Sequence, residues 1–352
     1  MKTLGYANKI KELIPSEINE AELGRIIVEH KERYILQSTE GTFNAEITGN
    51  LRFTAESRAD FPAVGDWVRF IRMDEQNAVI LEIFPRFSML ERQAVGKHGE
   101  IQIIATNIDY AFIVQAVGHD FNLKRLERYL TICHSAKIKP ILILTKIDLI
   151  PVNEVENLIH QISERIKNVP LIALSNKTKV GYKQLNELME ASKTYCFIGS
   201  SGVGKSTIVN HLKDEQVLET NEISSSTNKG KHTTSHRELF VLPNKSIVID
   251  TPGMREVGIT DQSQGIELTY DQINELANQC RFSNCMHINE ADCAVLEALE
   301  NGELSEEVYE NYQKLKREQE HFSSTVLEKR QRDKEFGKMI KAVQNERKRF
   351  RF

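Results

Sequence analysis

The chain lacks an apolar run long enough to cross a membrane. Its longest nearly uncharged stretches lie at residues 110–118 (YAFIVQAVG) and 140–144 (PILIL). A spanning helix needs about eighteen such residues. A signal peptide is not indicated, because the N-terminal stretch MKTLGYANKIKELIPSE carries charges where such a peptide has its apolar core. We therefore expect a cytoplasmic protein without membrane contact.

An excess of positive charge is also missing. The formal net charge of −4 does not indicate a general nucleic-acid binder, so RNA binding would need a local basic surface. Residues 329–352 offer one, because ten Lys and Arg residues stand there against three acidic ones, a net charge of +7. The other interpretation of this segment is a solvated helix face.

The five cysteines do not indicate a disulfide framework. Cys133 and Cys196 stand singly in apolar segments, where core packing is the simplest interpretation. The other three cluster in the last third of the chain, which points to a different use.

The 352 residues suffice for two to three domains, and residues 22–85 contain five short strand-like runs separated by turns. This pattern predicts a small closed barrel of the OB type. Such barrels often bind oligonucleotides, which makes Phe53, Trp67 and Phe70 candidates for stacking on bases. The alternative is that these aromatic side chains fill the barrel. The predicted strands are residues 24–30, 33–39, 43–53, 66–73 and 77–84.

From about residue 108, apolar strands alternate with amphipathic helices. This alternation predicts a parallel sheet covered on both faces, with ligands at the carboxyl ends of the strands. Four motifs follow such strands: TKID (145–148), the pair Ser175 and Asn176, GSSGVGKS (199–206) and DTPG (250–253). The predicted helices are residues 122–137, 153–167, 181–192 and one from 205, with a last pair at about 304–321 and 325–350.

The segment GSSGVGKS matches the phosphate-loop pattern G-x-x-x-x-G-K-[ST] between a strand and a helix. Glycines let backbone N–H groups surround phosphate oxygens, Lys205 reaches the β and γ phosphates, and the Ser206 hydroxyl binds Mg²⁺. The alternative, a glycine-rich turn without function, does not explain the flanking strand and helix. We therefore predict a nucleotide site here.

The segment SIVIDTPG supplies the partner of the phosphate loop. Asp250 ends an apolar strand, as an acidic group that holds Mg²⁺ through water must, and the Gly253 N–H is placed to sense the γ-phosphate. Between the two motifs lies the polar stretch 224–236, in which Thr233 and Thr234 are candidates for Mg²⁺ and γ-phosphate contacts. A plain flexible loop is the alternative for this stretch.

The motif TKID predicts guanine recognition. Guanine offers two N–H donors that one carboxylate accepts together, which adenine lacks, so Asp148 would read the base while the Lys146 stem covers the purine face. Taken alone, TKID would more simply be a helix-entry turn. With a phosphate loop in the same chain it indicates GTP, but it precedes that loop, so the usual GTPase order is circularly permuted.

A cysteine and histidine cluster follows the nucleotide motifs. Cys280, Cys285, His287 and Cys293 have the spacing C-x4-C-x-H-x5-C. Three thiolates and one imidazole complete a tetrahedral zinc shell with no open position, which predicts one structural zinc ion per chain. Three buried cysteines beside an unrelated histidine are the alternative.

The permuted order, the barrel in front and the cysteine cluster behind resemble the RsgA (YjeQ) family of small-subunit ribosome biogenesis GTPases. The resemblance is carried by TKID, GSSGVGKST, GKHTTSHRELF, DTPGMRE and CRFSNCMHINEADC, and it covers nearly the whole chain. It implies an OB barrel, a permuted GTPase and a zinc domain that together bind the 30S subunit and its 16S rRNA, with ribosome-promoted GTP hydrolysis. Two minor departures are Thr145, where many GTPases have Asn, and Lys231, where many relatives have Arg. We expect Thr145 to weaken one contact that braces the loop.

Hydrolysis needs a group that orients water, and Met254, which follows DTPG, cannot do so. We predict that His232 does this with Lys205 and Thr234 as further catalytic residues, although His232 serving only to pack its loop is the alternative. Slow intrinsic turnover is therefore expected. The predicted nucleotide-binding residues are Thr145, Lys146, Ile147, Asp148, Ser175, Asn176, Gly199, Ser200, Ser201, Gly202, Val203, Gly204, Lys205, Ser206, Thr207, Asp250 and Gly253, with Ser206, Thr233, Thr234 and Asp250 on Mg²⁺.

These patterns predict a monomeric, multidomain GTP phosphohydrolase. Residues 1–95 form an all-β OB barrel, residues 96–256 an α/β permuted P-loop GTPase domain, and residues 257–352 a mostly helical zinc-binding domain with the basic tail. A GTP-gated interaction module with negligible turnover is the first alternative. The second is an ATP-using P-loop enzyme, against which Asp148 argues.

Overall fold

The structure is a computed structural model that describes residues 1–6, 8–30, 33–93, 101–214, 237–250 and 263–320. Two compact units divide the chain: Met1–Glu91 with Gln102–Val257, and Arg92–Ile101 with Gly258–Phe352. Within the described ranges, every helix is too short or too polar to cross a membrane. The division into three domains at residues 95 and 256 stays a prediction.

The first unit contains the predicted five-stranded barrel. Its hydrogen-bonded order is β1-β2-β3-β5-β4, and β4 pairs back with β1 to close it. The β3–β5 pair is parallel and the other pairs are antiparallel. Along β3 exposed and buried residues alternate, as expected for a strand with one face on a core. The strands are β1 Leu23–His30, β2 Arg33–Gln37, β3 Thr42–Ile47, β4 Trp67–Arg72 and β5 Asn77–Ile83.

The prediction that the third strand extends to residue 53 was wrong. The strand ends at Ile47, and helix α2 (Gly49–Thr54) follows because the Thr48 hydroxyl caps it by accepting the Leu51 N–H. Apolar character alone did not distinguish this short helix from a continued strand.

The aromatic residues considered as stacking platforms have different positions. Phe70 is 2 % exposed and lies inside the barrel, whereas Trp67 is 1 % exposed and packs with the N-terminal residues Leu4 and Ile10. The prediction that bases stack on Trp67 and Phe70 is therefore wrong, because both side chains are buried in packing contacts. Phe53, on α2, is 91 % exposed.

The predicted parallel sheet follows in the same unit. Its order is β10-β9-β8-β11-β13, with all five strands parallel and β12 antiparallel to β13. The strands β8 and β11 are buried almost throughout because helices cover both faces. The strands are β8 Tyr110–Ala116, β9 Lys139–Thr145, β10 Leu171–Leu174, β11 Thr194–Ile198, β12 Arg237–Val241 and β13 Ile247–Asp250, and the helices are α3 Leu123–Ser135, α4 Val152–Arg165, α5 Tyr182–Leu188 and α6 Lys205–Asp214.

The barrel and the parallel sheet are continuous through one strand pair. Strand β12 pairs antiparallel with β1, at Val28 with Glu238 and Glu29 with Arg237, so eleven strands form one sheet. This pairing covers a β12 edge that would otherwise expose unpaired backbone groups. Sequence analysis did not predict it, because strand order between distant segments leaves no local pattern.

A buried arginine strengthens this junction. The Arg25 guanidinium donates to the carbonyl oxygens of Gly65 and Asn107 and to the Thr194 hydroxyl on β11, at 3.0 to 3.2 Å. Burial lowers the pKa of Arg25 to about 10, so the group stays charged at neutral pH. The first unit therefore has a polar tie between its barrel and its parallel sheet.

The second unit is mostly helical. Its core contains Ile266 and Ile273 from the first two helices and Tyr270 between them, with Val295 and Leu315 from the later helices. The helices are α7 Ser263–Thr269, α8 Asp271–Ala277, α9 Ala294–Glu300 and α10 at residues 306–320. Elsewhere in the chain lie α1 Asn8–Leu13, in the N-terminal segment, and the two-stranded sheet of β6 Met89–Gln93 and β7 Ile101–Thr106.

Candidate nucleotide site and metal centre

The sheet order brings the predicted nucleotide motifs to one edge. TKID begins on the last residue of β9 and Ser175 follows β10, while Gly199 follows β11 and Asp250 ends β13. Because these strands are parallel, their carboxyl ends share that edge. Motifs separated by up to 105 positions in the sequence therefore face one site.

The phosphate loop has the geometry that its glycines predict. A Cβ at Gly199 would clash with the backbone carbonyl oxygen of Val114, so only glycine fits against β8. Helix α6 begins at Lys205, which places backbone N–H groups of its first turn beside the loop. The Lys205 ammonium donates to the carbonyl oxygens of Gly199 at 2.6 Å and Ser200 at 2.5 Å. Lys205 is thus folded over the loop where a phosphate group would bind.

The TKID segment, residues 145–148, which we call the purine loop, presents a carboxylate. Lys146 has the left-handed φ of 61°, which turns the chain sharply after β9. Asp148 is exposed, and one of its carboxylate oxygens accepts the Ser175 hydroxyl at 2.5 Å. That bond fixes the orientation of the carboxylate.

Thr145 supports the loop from beneath. Its side chain is fully buried, and its hydroxyl lies 2.7 Å from the Val203 carbonyl oxygen and 3.3 Å from that of Gln115. The first contact joins the purine loop directly to the phosphate loop. The weakening expected from threonine in place of asparagine stays a prediction, but a brace is present.

Two contacts at this edge involve residues that sequence analysis missed. Tyr182 donates its hydroxyl to Asn176 Oδ1 at 2.7 Å, and the Arg125 guanidinium donates to the Ser200 hydroxyl at 3.0 Å. Neither residue belongs to a nucleotide motif. For Tyr182 the available signal was its position just after Gly181, where a helix start follows the SN pair.

Part of the predicted site lies outside the described residues. Thr233, Thr234, His232, Gly253 and Met254 belong to this part. The basic segment 329–352 and the predicted helix at 325–350 also lie outside it. The magnesium and water-orienting assignments of these residues stay predictions.

The second unit brings its three cysteines and one histidine together as predicted. Their ligand atoms all lie within 4.8 Å of one another. The sulfurs of Cys280 and Cys293 are 3.8 Å apart, and His287 Nδ1 lies 3.6 and 3.4 Å from them. Tetrahedral Zn–S bonds of about 2.3 Å would separate two sulfurs by about 3.8 Å, so the Cys280–Cys293 pair has the spacing of two zinc ligands and the cluster is compatible with zinc.

The surrounding residues fix the position of His287 in the cluster. Its imidazole is 3 % exposed, and burial lowers the pKa of His287, which favours the neutral form that binds metals. Its backbone has a left-handed φ of 58°, and its carbonyl oxygen accepts the Tyr309 hydroxyl at 2.5 Å. The adjacent turn is held by Glu290, whose carboxylate accepts the N–H groups of Met286 and Ile288 at 2.8 Å.

Comparison with known proteins agrees with these observations. The family profile described as RsgA GTPase matches residues 83–260, and one described as 50S ribosome-binding GTPase matches residues 194–329. The Bacteroides thetaiotaomicron protein named Small ribosomal subunit biogenesis GTPase RsgA 1 is 39 % identical over 95 % of this chain and 94 % of its own length. The Lactiplantibacillus plantarum protein named Small ribosomal subunit biogenesis GTPase RsgA 2 is 41 % identical over 90 % of this chain and 89 % of its own length.

Two solved structures share the fold. The crystal structure of YjeQ from Thermotoga maritima has a TM-score of 0.62 and 24 % identity, and covers 85 % of this chain and 98 % of its own. That of YloQ, described as a circularly permuted GTPase, has the same TM-score and identity and covers 88 % and 98 %. The predicted architecture of barrel, P-loop GTPase domain and helical cysteine-histidine region is confirmed. The chain belongs to the RsgA GTPase family.

Proposed function

We propose that this chain hydrolyses GTP to GDP and phosphate in the maturation of the small ribosomal subunit. The observation that carries the proposal is the meeting of the purine loop, the SN pair and the phosphate loop at one sheet edge. The names of the relatives at 39 % and 41 % identity supply the biological process. Their proteins and this chain match over nearly their full lengths.

The described residues provide recognition at both ends of the nucleotide. Asp148, oriented by Ser175, accepts the two N–H groups of guanine. Lys205 exchanges its contacts with loop carbonyl oxygens for phosphate oxygens, and the α6 N-terminus adds N–H donors. These donors stabilise the charge that develops on the γ-phosphoryl group.

The oxygen groups near the phosphate loop suit Mg²⁺. The Ser206 hydroxyl in the first turn of α6 and the Asp250 carboxylate at the end of β13 are hard oxygen ligands of the kind that Mg²⁺ prefers. Thr233 and Thr234 complete the proposed set. The ion supplies neutralisation of phosphate charge when bound. Zinc at Cys280, Cys285, His287 and Cys293 has the structural role proposed above.

Water orientation is assigned to His232, with Thr234 beside it. Met254 is the sequence feature that supports slow intrinsic turnover, because a thioether has no proton to donate and is only a weak acceptor, so it cannot orient water. The partner that accelerates turnover would be the 30S subunit, with contacts to its 16S rRNA. We further propose that the chain acts as a monomer in the cytoplasm.

The decisive experiment measures GTPase rate against added small and large ribosomal subunits. We expect acceleration by small subunits and a much weaker effect of large ones. Binding of small subunits that changes with salt, compared with a chain lacking residues 329–352, would report the contribution of the basic tail. A rate unchanged by either subunit would remove the ribosomal assignment.

Met254 also favours one other function, a GTP-gated interaction module with negligible turnover. Stimulated turnover on small subunits would exclude it. An ATP-using enzyme is the weaker alternative, since Asp148 has no matching donors on adenine. Competition of labelled GTP by ATP tests this point, and strong competition would contradict the guanine assignment.

A further inference from the structure

Hydrogen-bonded side chains join the purine side of the candidate site to its phosphate side. Tyr182, at the start of α5, donates its hydroxyl to Asn176 Oδ1 at 2.7 Å. The Asn176 amide Nδ2 donates to the Gly204 carbonyl oxygen at 3.4 Å, and Gly204 directly precedes α6. Asn176 follows β10 and Gly204 lies in the loop after β11, strands that β9 and β8 separate in the sheet. The contact therefore spans the nucleotide site.

The chemistry of the two ends of the amide gives Asn176 one orientation. A carbonyl oxygen only accepts, so the donor end of the amide must face Gly204, which leaves Oδ1 for the Tyr182 hydroxyl. Gly204 has a left-handed φ of 101°, and a Cβ there would lie 2.6 Å from Asn176 Nδ2. The amide thus packs directly on the backbone of the phosphate loop.

Tyr182 is held in turn by groups around its ring. His211, on the second turn of α6, contacts it edge-on with 5.3 Å between ring centroids. The Lys179 ammonium contacts the His211 imidazole and lies 5.5 Å from the Tyr182 ring centroid. Burial raises the pKa of Tyr182, so its hydroxyl keeps the proton that it donates. Helix α6 is therefore contacted at two places. Asn176 contacts Gly204, just before the first residue of the helix, and Tyr182 contacts His211 in its second turn.

We propose that Asn176 is a positioning residue, held by Tyr182, that sets the separation of the purine loop and the phosphate loop. This inference rests on the proposed nucleotide site. A guanine nucleotide contacts both loops at once, so the spacing between them must match the distance between base and phosphates. Fixing that spacing before binding removes an ordering cost from the nucleotide affinity. The effect should therefore be on ligands that span both loops.

The test measures GDP affinity of the full chain by titration with a fluorescent GDP analogue. Loss of one neutral hydrogen bond weakens affinity by roughly three- to tenfold, so we expect roughly tenfold for Asn176→Ala and roughly threefold for Tyr182→Phe. The double variant should bind no more weakly than Asn176→Ala, because Tyr182 acts through Asn176. Additive losses, or affinities equal to that of the unchanged chain, would overturn the inference.

A second ligand separates positioning from damage to the phosphate loop. Inorganic pyrophosphate should contact only the phosphate loop. Its affinity, measured by competition with the fluorescent GDP analogue, should therefore change by less than about twofold in Asn176→Ala, which is less than the effect of one lost hydrogen bond. Equal losses for GDP and pyrophosphate would contradict positioning. Tyr195→Phe is the matched control, since that hydroxyl donates to the Leu188 carbonyl oxygen at 3.1 Å and accepts the Glu190 N–H at 2.9 Å, both outside the nucleotide motifs. It should leave GDP affinity unchanged.

Different results would contradict the proposed GTPase function and the positioning role of Asn176. If the unchanged chain does not bind GDP, the proposed function is wrong. If it binds GDP and both Asn176→Ala and Tyr182→Phe bind equally well, only the positioning role is wrong. Thermal unfolding without nucleotide, together with zinc content, identifies a variant that is misfolded, and Tyr182→Phe then carries the test because it removes a single oxygen atom.

Discussion

The candidate nucleotide site and the candidate metal centre differ in what fixes the geometry of each. The nucleotide motifs follow strands of a sheet whose core is fully buried, and Thr145 and Asp148 are tied to neighbouring loops by side-chain hydrogen bonds. The metal cluster lies in irregular chain between α8 and α9, with a much smaller core. A scaffold of packed strands gives a site its geometry in advance. A cluster on turns depends on its ion for the same precision.

The largest expected effect is therefore that of removing zinc. Structural zinc supplies roughly 10 kcal/mol or more of folding free energy in small metal domains. Chelation or Cys285→Ser should unfold the second unit, measured as loss of its helical circular dichroism, while GDP affinity persists. Cys133→Ala, at a buried cysteine outside the cluster, is the control that should retain zinc. A second unit that stays folded without zinc would contradict the contrast.

Lys205→Ala should have the opposite effect to zinc removal, with turnover lost and the fold kept. Removing a group that stabilises transition-state charge costs about 3 to 4 kcal/mol, which corresponds to roughly a hundredfold to a thousandfold in turnover. Zinc content and the thermal unfolding of the protein should change little, because the Lys205 ammonium donates to the carbonyl oxygens of Gly199 and Ser200 in a loop, outside the buried core. Turnover is measured as phosphate release at saturating GTP. Retained turnover would contradict the role of Lys205.

Asp148→Asn should weaken GTP binding by a smaller amount. Hydrogen bonds to a charged group contribute about 1.5 to 3 kcal/mol, so a loss of roughly ten- to hundredfold is expected. Binding of inorganic pyrophosphate should be unaffected, since Asp148 lies on the purine side. Comparable losses for both ligands would indicate disruption of the sheet edge rather than loss of base recognition.

Thr145→Val tests whether the loops are held by side-chain bonds. The substitution keeps the shape and removes the hydroxyl that contacts the Val203 carbonyl oxygen. The loss of one such bond costs about 1 kcal/mol, so GDP affinity should fall by roughly fivefold. Isothermal titration of GDP gives the value. Thr145→Ser, which retains the hydroxyl, should bind GDP almost as well as the unchanged chain.

The smallest expected effect is that of Phe53→Ala. Phe53 is 91 % exposed, so the free energy of unfolding should change by less than about 0.5 kcal/mol. Phe70→Ala, inside the same barrel, should cost about 3 to 5 kcal/mol. Urea unfolding of the two variants compares them directly. A large stability loss in Phe53→Ala would show that this side chain is packed.

Individual residues show how far sequence analysis reached. The phosphate loop, the cluster of three cysteines and one histidine, and the TKID loop were predictable because each chemistry requires certain residue types at short spacing. Arg125 was not, because its contact with Ser200 joins segments 75 residues apart that meet only after folding. Tyr182 contacts Asn176 only six residues away, and its local signal, the helix start after Gly181, was missed. The helix at Gly49–Thr54 was missed for another reason, since its capping bond from Thr48 decides a short segment of ambiguous pattern.

The sequence by itself determined the class of each site and the permuted order of its motifs. Each motif is short and contains the residue types that its ligand requires: glycines and a lysine for phosphate, a carboxylate for guanine, thiolates for zinc. It therefore indicates the same chemistry in a permuted chain as in an ordinary one. Only the tertiary structure decided how those motifs are held together. The strand pairing of β1 with β12, the brace from Thr145 to Val203 and the link from Tyr182 through Asn176 to Gly204 all join distant segments. Such contacts depend on which strands become neighbours, and that is settled by packing the whole sheet rather than by any local stretch.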